Sequence, residues 1–558
     1  MRLHNPPQIS STSSLALMVL SAQAVLAAPA PAVDCTTASF EAILAGVPEA
    51  TVSYAGAVAE GGSFGIPSLA FPTNATEVPA VCAVSINVKS SEAGSSYNFG
   101  LFLPDSTWNE RFLTTGNGGY GGGINWPDMG RMAHYGFATM STDTGHNSSS
   151  GDAAWALNAP ETIVDWGHRA MHGSVTLSKS IIGAYYGVAG AEDGGIKFSY
   201  YASCSTGGRQ GLREIQLHPD SFDGIAVGAP AWWTPHLAAG SLKMPLDNLP
   251  EDGPGHISES LFAAIEAEMI KQCDPQDGVT DEIVSDPFGC TFDFEALRCT
   301  NGTSPSPSDS TAPTCLTAAQ LQTVHAVYSD WAENAGQTLV FPGLALGASP
   351  SFMLSPPSDY GFGLFKYFVY NDTEWDYTSL SYADVQAADA VNPGSATAGD
   401  FAALVGPYAD RGGKVLMYHG GADPLIPTGS SLAFYRALQQ AEGKGTDLEA
   451  FYRFFLVPGM SHCSGSATAP WYVGGGSQAP AGTTHSVPGY EDADHDIVLA
   501  MVRWVEEGGA PDRLVATKFA GDDAAAGVQS QRPLCVYPKQ ARYAGSGDVN
   551  LPENWECE

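Results

Sequence analysis

Ser205, Asp423 and His462, set far apart in the chain, are the residues whose types and surroundings could do chemistry together. Ser205 lies in Ser203-Cys204-Ser205-Thr206-Gly207-Gly208, between a strand-like run at 197–202 and a helix-like run at 210–217. A tight strand-to-helix turn of this kind exposes a serine hydroxyl at the C-terminal edge of a sheet, and Ser203 stands where the first glycine of such an elbow is usual. A serine among small residues is also ordinary turn chemistry, so the motif needs partners. The hydroxyl is a weak nucleophile at neutral pH and requires a general base oriented by a carboxylate. Asp423 follows the strand-like run 414–418 in His419-Gly420-Gly421-Ala422-Asp423-Pro424, and His462 follows the run 452–457 in Pro458-Gly459-Met460-Ser461-His462-Cys463. Ser, Asp, His is the chain order of the α/β-hydrolase triad. Taken singly, Asp423 reads equally well as a turn aspartate and His462 as a loop histidine.

Two neighbours shift that balance. Cys204 immediately precedes the serine and Cys463 immediately follows the histidine, so a disulfide between them would tie nucleophile to base. Such a bridge would restrict the unfolded chain by about 5 kcal/mol in the loop-entropy model. On the residues alone, each cysteine could instead pair elsewhere. An oxyanion would need two backbone donors: the Thr206 N–H, and one from the loop Gly116-Asn117-Gly118-Gly119, where Asn117 is the candidate. Glycines there serve a plain turn equally well.

The elements that must position these residues are legible as short apolar runs at 97–104, 111–115 and 136–142, separated by Gly, Asn and Pro, and a helical spacing of apolar residues over 170–186. Strands alternating with helices imply an α/β fold with a parallel sheet. Over 232–392 the pattern changes to helical stretches, such as 258–272, and a Ser/Pro-rich linker at 303–313, with four of the ten cysteines. The division expected is a leader at 1–27, an α/β-hydrolase catalytic domain formed by 28–231 and 393–558, and an inserted lid domain at 232–392. No repeat of fixed period is visible.

Composition bounds the partners. The chain has 558 residues, 59 acidic against 24 basic, and a formal net charge of −35, which argues against nucleic acid and anionic membrane surfaces. Hydrophobic residues at 44% supply a core. Arg2, the apolar run 15–20 and small residues around Ala27 have the form of a cleaved signal peptide, which predicts a secreted, soluble protein. No later run reaches the roughly 18 uninterrupted apolar residues of a membrane helix. Ten cysteines then predict five bridges, and the sequons at Asn74, Asn147, Asn301 and Asn371 fit a glycoprotein.

The paired-cysteine triad Cys204-Ser205, Asp423 and His462-Cys463 resembles that of the tannase and feruloyl esterase family. Similar stretches include Asn117-Gly118-Gly119, Thr206-Gly207-Gly208-Arg209-Gln210-Gly211, Asp410-Arg411-Gly412-Gly413-Lys414 and Val457-Pro458-Gly459-Met460, over nearly the whole mature chain. The resemblance implies an α/β-hydrolase core with a lid and an acyl-enzyme mechanism, with Ser205 attacking, His462 shuttling protons and Asp423 orienting it. It implies the pairs Cys204 with Cys463, Cys35 with Cys82, Cys273 with Cys290, Cys299 with Cys315 and Cys535 with Cys557. It also implies a structural Ca²⁺ ion in the lid, held by the side chains of Asp274, Asp277 and Asp281 and the carbonyls of Val279 and Ile283. The spacing of these acids alone reads as a solvated loop, although its oxygen-rich chemistry suits a hard cation.

Within the family the substrates are small aromatic-acid esters, free or attached to polysaccharide. Residues 365–375 resemble lid sequence of type-B feruloyl esterases and favour hydroxycinnamoyl esters of plant cell-wall xylan, with tannase (galloyl ester hydrolysis) as the alternative. Trp232, Trp233, Tyr360 and Phe362 are candidates for an aromatic pocket. A peptidase could use the same triad, and only the whole-chain resemblance disfavours it. A non-catalytic binding protein on this fold would be marked by a lost triad member, and none is lost.

Overall fold

The computed structural model describes residue 1 and residues 29–188, 195–299, 315–442, 447–468, 470–476 and 478–558. The leader, the linker at 303–313 and the sequon at Asn301 lie outside the described residues, apart from Met1.

Nine strands form the central sheet: β1 (Ala50–Val58), β2 (Val81–Lys89), β3 (Ser96–Pro104), β4 (Arg111–Thr114), β5 (Ala138–Thr142), β6 (Phe198–Cys204), β7 (Gly224–Gly228), β8 (Lys414–Gly420) and β9 (Tyr452–Val457). Their spatial order is β1-β2-β3-β5-β4-β6-β7-β8-β9. From β5 to β9 every pairing is parallel. The pairings β1 with β2, β2 with β3 and β3 with β5 are antiparallel, so the sheet is mixed, and the parallel sheet expected from the sequence runs only from β5 to β9. The cause is local. Residues 90–95 close the turn after β2, with the Ser90 N–H donating to Ser95 O at 2.9 Å, and so short a link cannot carry the crossover a parallel pair needs.

Two cores cover the sheet's faces. One holds Val175 and Ile181 of the helix Ala170–Tyr185, Leu212 and Ile215 of the helix Thr206–Leu217, and Phe434 and Leu438 of the helix Gly429–Glu442. The other holds Met501 and Trp504 of the helix Ile497–Glu507 against Leu416 and Tyr418. Fully burying side chains of this size contributes about 1.5–3 kcal/mol each. The sheet is therefore sandwiched between helices, and the C-terminal ends of its parallel strands are left to carry loops.

Between β7 and β8 the chain leaves the sheet for a mainly helical insertion containing Thr234–Asp247, Glu259–Cys273, Ala318–Val327 and Tyr382–Val391. One of its cores is self-contained, built on Ile257, Ile265, Met269, Leu321 and Val324. The other joins Leu242, Phe365 and Phe368 to Tyr120, Ala153 and Trp166 from the sheet-bearing half, which seats the insertion over the loops after β4 and β5. Ala398, Leu404 and Tyr408 pack back into the first core.

Candidate active site

Strand β6 ends at Cys204 and a helix starts at Thr206, so Ser205 must turn the chain within one residue. It does so at φ 62° and ψ −128°, a conformation costing a non-glycine residue roughly 1–3 kcal/mol. Hydrogen bonds hold it there: the Ser205 N–H donates to Gly228 O at 2.9 Å, and Ser205 O accepts the N–H groups of Ala231 at 3.0 Å and Arg209 at 3.1 Å. Ser203 fits in place of glycine because its neighbours have no side chain. A Cβ at Gly207 would fall 2.0 Å from Ser203 Oγ, and one at Gly476 would fall 2.8 Å from Ser203 Cα. Ser205 itself stays partly exposed.

Asp423 lies in the turn after β8 and is fully buried. Its Oδ1 accepts the N–H groups of Leu425 and Ile426, both at 2.9 Å. Its Oδ2 accepts from His462 Nδ1 at 2.8 Å and from His419 Nε2 at 3.1 Å. Burial pushes this carboxyl up, but the His462 charge and the hydrogen bonds from the two histidines outweigh it and hold Asp423 well below the usual carboxylate range. His462, in the loop after β9, is thereby oriented through Nδ1, leaving Nε2 for chemistry. The Cys204–Cys463 disulfide, with its Cα atoms 5.9 Å apart, fastens the residue before Ser205 to the residue after His462. The other four bridges join Cys35 to Cys82, Cys273 to Cys290, Cys299 to Cys315 and Cys535 to Cys557, the pairs the resemblance implies.

His419, which the sequence motifs do not single out, shares the Asp423 carboxylate with His462. It is fully buried, and its Nε2 also lies 2.9 Å from Ile426 O, an atom that only accepts, so Nε2 carries the proton. Its Nδ1 is 2.7 Å from Ser431 Oγ. A histidine closing a strand four residues before an acid was the available signal.

The oxyanion expectation needs a correction at Asn117. Its N–H donates to Gln210 Oε1 at 3.0 Å, its Oδ1 accepts from Gln210 Nε2 at 3.1 Å, and its Nδ2 donates to Gly123 O and Thr142 O at 2.8 and 3.0 Å. With its donors committed, Asn117 braces the glycine loop against the helix that follows Ser205. Thr206 occupies the first position of that helix, where an N–H has no partner within the helix.

A cavity opens beside Ser205 and Thr206. Tyr120, Trp166 and Tyr360 give it aromatic walls, and Leu237, Leu425 and Ile426 add aliphatic ones. Arg209 also lines it, fully buried, donating to Gly167 O at 2.8 Å and stacked 4.2 Å over Trp166, and burial pulls its guanidinium down to about 9. Of the four aromatics expected here, only Tyr360 takes part. Trp232 donates to Ser430 O at 3.0 Å and packs on Phe401 and Phe434, Trp233 stacks on His236, and Phe362 stacks on Tyr377.

The acidic loop of the insertion is compact. Asp274 is buried and accepts the N–H groups of Asp281 and Glu282, both at 3.1 Å, while Asp277 Oδ1 accepts the Val279 N–H at 2.8 Å. Asp281 pairs with Arg532, and Ile283 packs into the second core. Asp277 Oδ2 and Asp281 Oδ1 are buried without a hydrogen-bond partner, and burial raises Asp277. Two orphaned carboxylate oxygens on one turn fit a hard, oxygen-seeking cation.

A serine elbow on such a sheet, an Asp–His pair in the loops after β8 and β9 and a helical cap define an α/β-hydrolase. The chain belongs to the tannase and feruloyl esterase family, which it matches over residues 81–345 and 363–558, and is a carboxylic ester hydrolase. It is 35% identical over 488 residues to the Aspergillus oryzae protein named "Probable feruloyl esterase B-1", covering 86% of this chain and 84% of that one. The Neosartorya fischeri protein of the same name is 36% identical over 480 residues, covering 85% of this chain and 86% of that one. Among solved structures, feruloyl esterase B from Aspergillus oryzae superposes with a TM-score of 0.81 at 32% identity, covering 94% of this chain and 100% of that chain. Tannin acyl hydrolase from Aspergillus niger shares the fold, with a TM-score of 0.73 at 20% identity, covering 94% of this chain and 95% of that one.

Proposed function

We propose that this protein is a secreted feruloyl esterase that releases hydroxycinnamic acids from plant cell-wall polysaccharide through a Ser205-His462-Asp423 acyl-enzyme mechanism. The observation that carries the mechanism is the 2.8 Å Asp423–His462 bond bridged by Cys204–Cys463 to the elbow serine. His462 Nε2 takes the Ser205 proton as Oγ attacks the ester carbonyl carbon. The Thr206 N–H and a second N–H from the glycine loop, which reaches the cavity at Gly119, steady the oxyanion. His462 returns the proton to the departing alcohol, and water then attacks the acyl-enzyme by the same route to free the acid and restore Ser205.

The acyl preference rests on the relatives' names and on the aromatic-walled cavity beside Ser205, which suits one substituted ring. Export is supported by the leader-like residues 1–27 and by five disulfides. No helix among the described residues is long and apolar enough to cross a membrane. Initial rates on methyl ferulate, methyl caffeate and methyl gallate, with Ser205→Ala as blank, test the reading. Hydroxycinnamates should be preferred and their turnover lost in the variant. Preference for gallate makes the enzyme a tannase, and turnover of none removes the esterase assignment for these acids.

We also propose that Asp274, Asp277 and Asp281, with the Val279 and Ile283 carbonyls, hold one structural Ca²⁺. The ion would supply charge to the orphaned oxygens and order the lid, with no part in the acyl transfer. A ligand at a hundredfold excess over its Kd stabilises by about 2.7 kcal/mol, a few °C in Tm for a large domain. Chelation should therefore lower Tm by a few °C, and Asp277→Asn should abolish the response. Metal-free protein as purified, with a Tm indifferent to chelator, sinks this assignment.

A further inference from the structure

At the opposite end of the nucleophile helix from Ser205, three metal-ligating side chains converge. Glu214 lies in the last turn of the helix Thr206–Leu217, His218 caps it, and His172 projects from the neighbouring helix Ala170–Tyr185. Spacing of four residues puts Glu214 and His218 on one face, and the His218 N–H donates to Glu214 O at 2.7 Å. His172 Nδ1 lies 2.9 Å from Glu214 Oε1, and one ligand atom from each of the three residues lies within 4.8 Å of the others. Among the described residues this is the one such group of three.

A second observation points to a ligand. Glu214 is 1% exposed, and while Oε1 takes the Ser221 hydroxyl at 2.6 Å, Oε2 is buried with no hydrogen-bond partner. A buried, half-satisfied carboxylate beside two imidazoles is costly unless something positive completes it. The nearby cations are directed elsewhere: Arg213 donates to Ser395 O and Oγ, and Lys179 reaches Asp220 O at 3.4 Å. The two imidazole rings are stacked, with centroids 3.4 Å apart, on the wall of an open surface recess that gives an ion access.

We propose that His172, Glu214 and His218 form a site for a divalent transition-metal ion of the zinc type, separate from both the serine site and the calcium loop. Two imidazole nitrogens and a carboxylate oxygen are a donor set for such an ion, and bonds of about 2.0–2.1 Å in a tetrahedron bring ligand atoms to about 3.3 Å, so binding must turn the two rings out of their parallel stack until both nitrogens aim at one point. Ser221 holds Glu214 as an outer-shell donor. Twelve helical residues separate the two ends, roughly 18 Å, so the ion would pin one helix to the other without touching substrate.

The test is calorimetric titration of Zn²⁺ into the full-length enzyme in saturating Ca²⁺, with Tm read in parallel, for wild type, Glu214→Gln, His172→Phe and His218→Phe. The two phenylalanine variants keep an aromatic ring in the stack, so they guard against misfolding of the buried glutamate variant. One Zn²⁺ per chain is expected, with a rise in Tm and affinity weakened at least tenfold in each folded variant, while metal-free ester hydrolysis is unchanged in His172→Phe and His218→Phe. Absence of binding by wild type at 100-fold molar excess, or equal affinity in wild type and both phenylalanine variants, overturns the proposal.

Discussion

Asp423→Asn should lower kcat by about 10⁴-fold with little change in KM, measured on the ester wild type turns over best. The reason is a conflict among fixed donors. The Leu425 and Ile426 N–H groups point at Oδ1 and demand an acceptor, so the amide oxygen of asparagine must sit there. Its NH₂ then replaces Oδ2, where it confronts His462 Nδ1 and His419 Nε2. His419 cannot switch tautomer without losing Ile426 O, so its N–H faces the new donor across a fully buried site. His462 can switch, turning Nδ1 into the acceptor, and that places its proton on Nε2, where the base must be empty to receive the Ser205 proton. The variant is compared with wild type by circular dichroism and Tm, so that lost turnover is read on folded protein. A folded Asp423→Asn enzyme within tenfold of wild-type kcat would show that Asp423 does not set the tautomer of the base.

The residues at the strand ends were legible because each stands directly after an apolar run rich in aromatic and β-branched residues, and those runs became β6, β8 and β9 almost to the residue. Strand β7 was not. Gly224-Ile225-Ala226-Val227-Gly228 is short and bounded by glycines, and its identity comes from lying between β6 and β8, a contact composition does not encode. The antiparallel start of the sheet was missed for a related reason, since β1 and β2 precede residue 97, where the strand reading begins, and the direction of β3 against β5 is set by a spatial pairing that skips β4. Asn117 shows the same limit at the scale of one hydrogen bond. Its loop was correctly picked out as glycine-rich and near the serine, yet the availability of its N–H depends on Gln210, 93 residues away. The lid aromatics were chosen by type alone, and packing decided against three of the four.

The Cys204→Ala, Cys463→Ala double variant should lose more than stability. Its bridge spans 259 residues, so the entropy model assigns it about 5 kcal/mol, against about 3 kcal/mol for the Cys535–Cys557 bridge spanning 22. The difference should appear as a larger drop in denaturation midpoint for the first pair than for Cys535→Ala, Cys557→Ala. The sharper contrast is in turnover. Ser205 at φ 62° and Cys463 at φ 63° are both non-glycine residues in the left-handed region, on two loops that meet at this disulfide. Backbone held in such a conformation relaxes when its restraint goes, and a misplacement of about 1 Å between nucleophile and base costs on the order of 10²-fold in rate. We therefore expect kcat to fall about 10²-fold in the Cys204/Cys463 variant and less than twofold in the Cys535/Cys557 variant, whose bridge joins the C-terminal strand Trp555–Cys557 to the end of the strand Val528–Cys535. Equal kcat in the two folded variants would mean that the hydrogen bonds from Ser205 to Gly228, Ala231 and Arg209 hold the elbow by themselves, and that the bridge acts only on the unfolded chain.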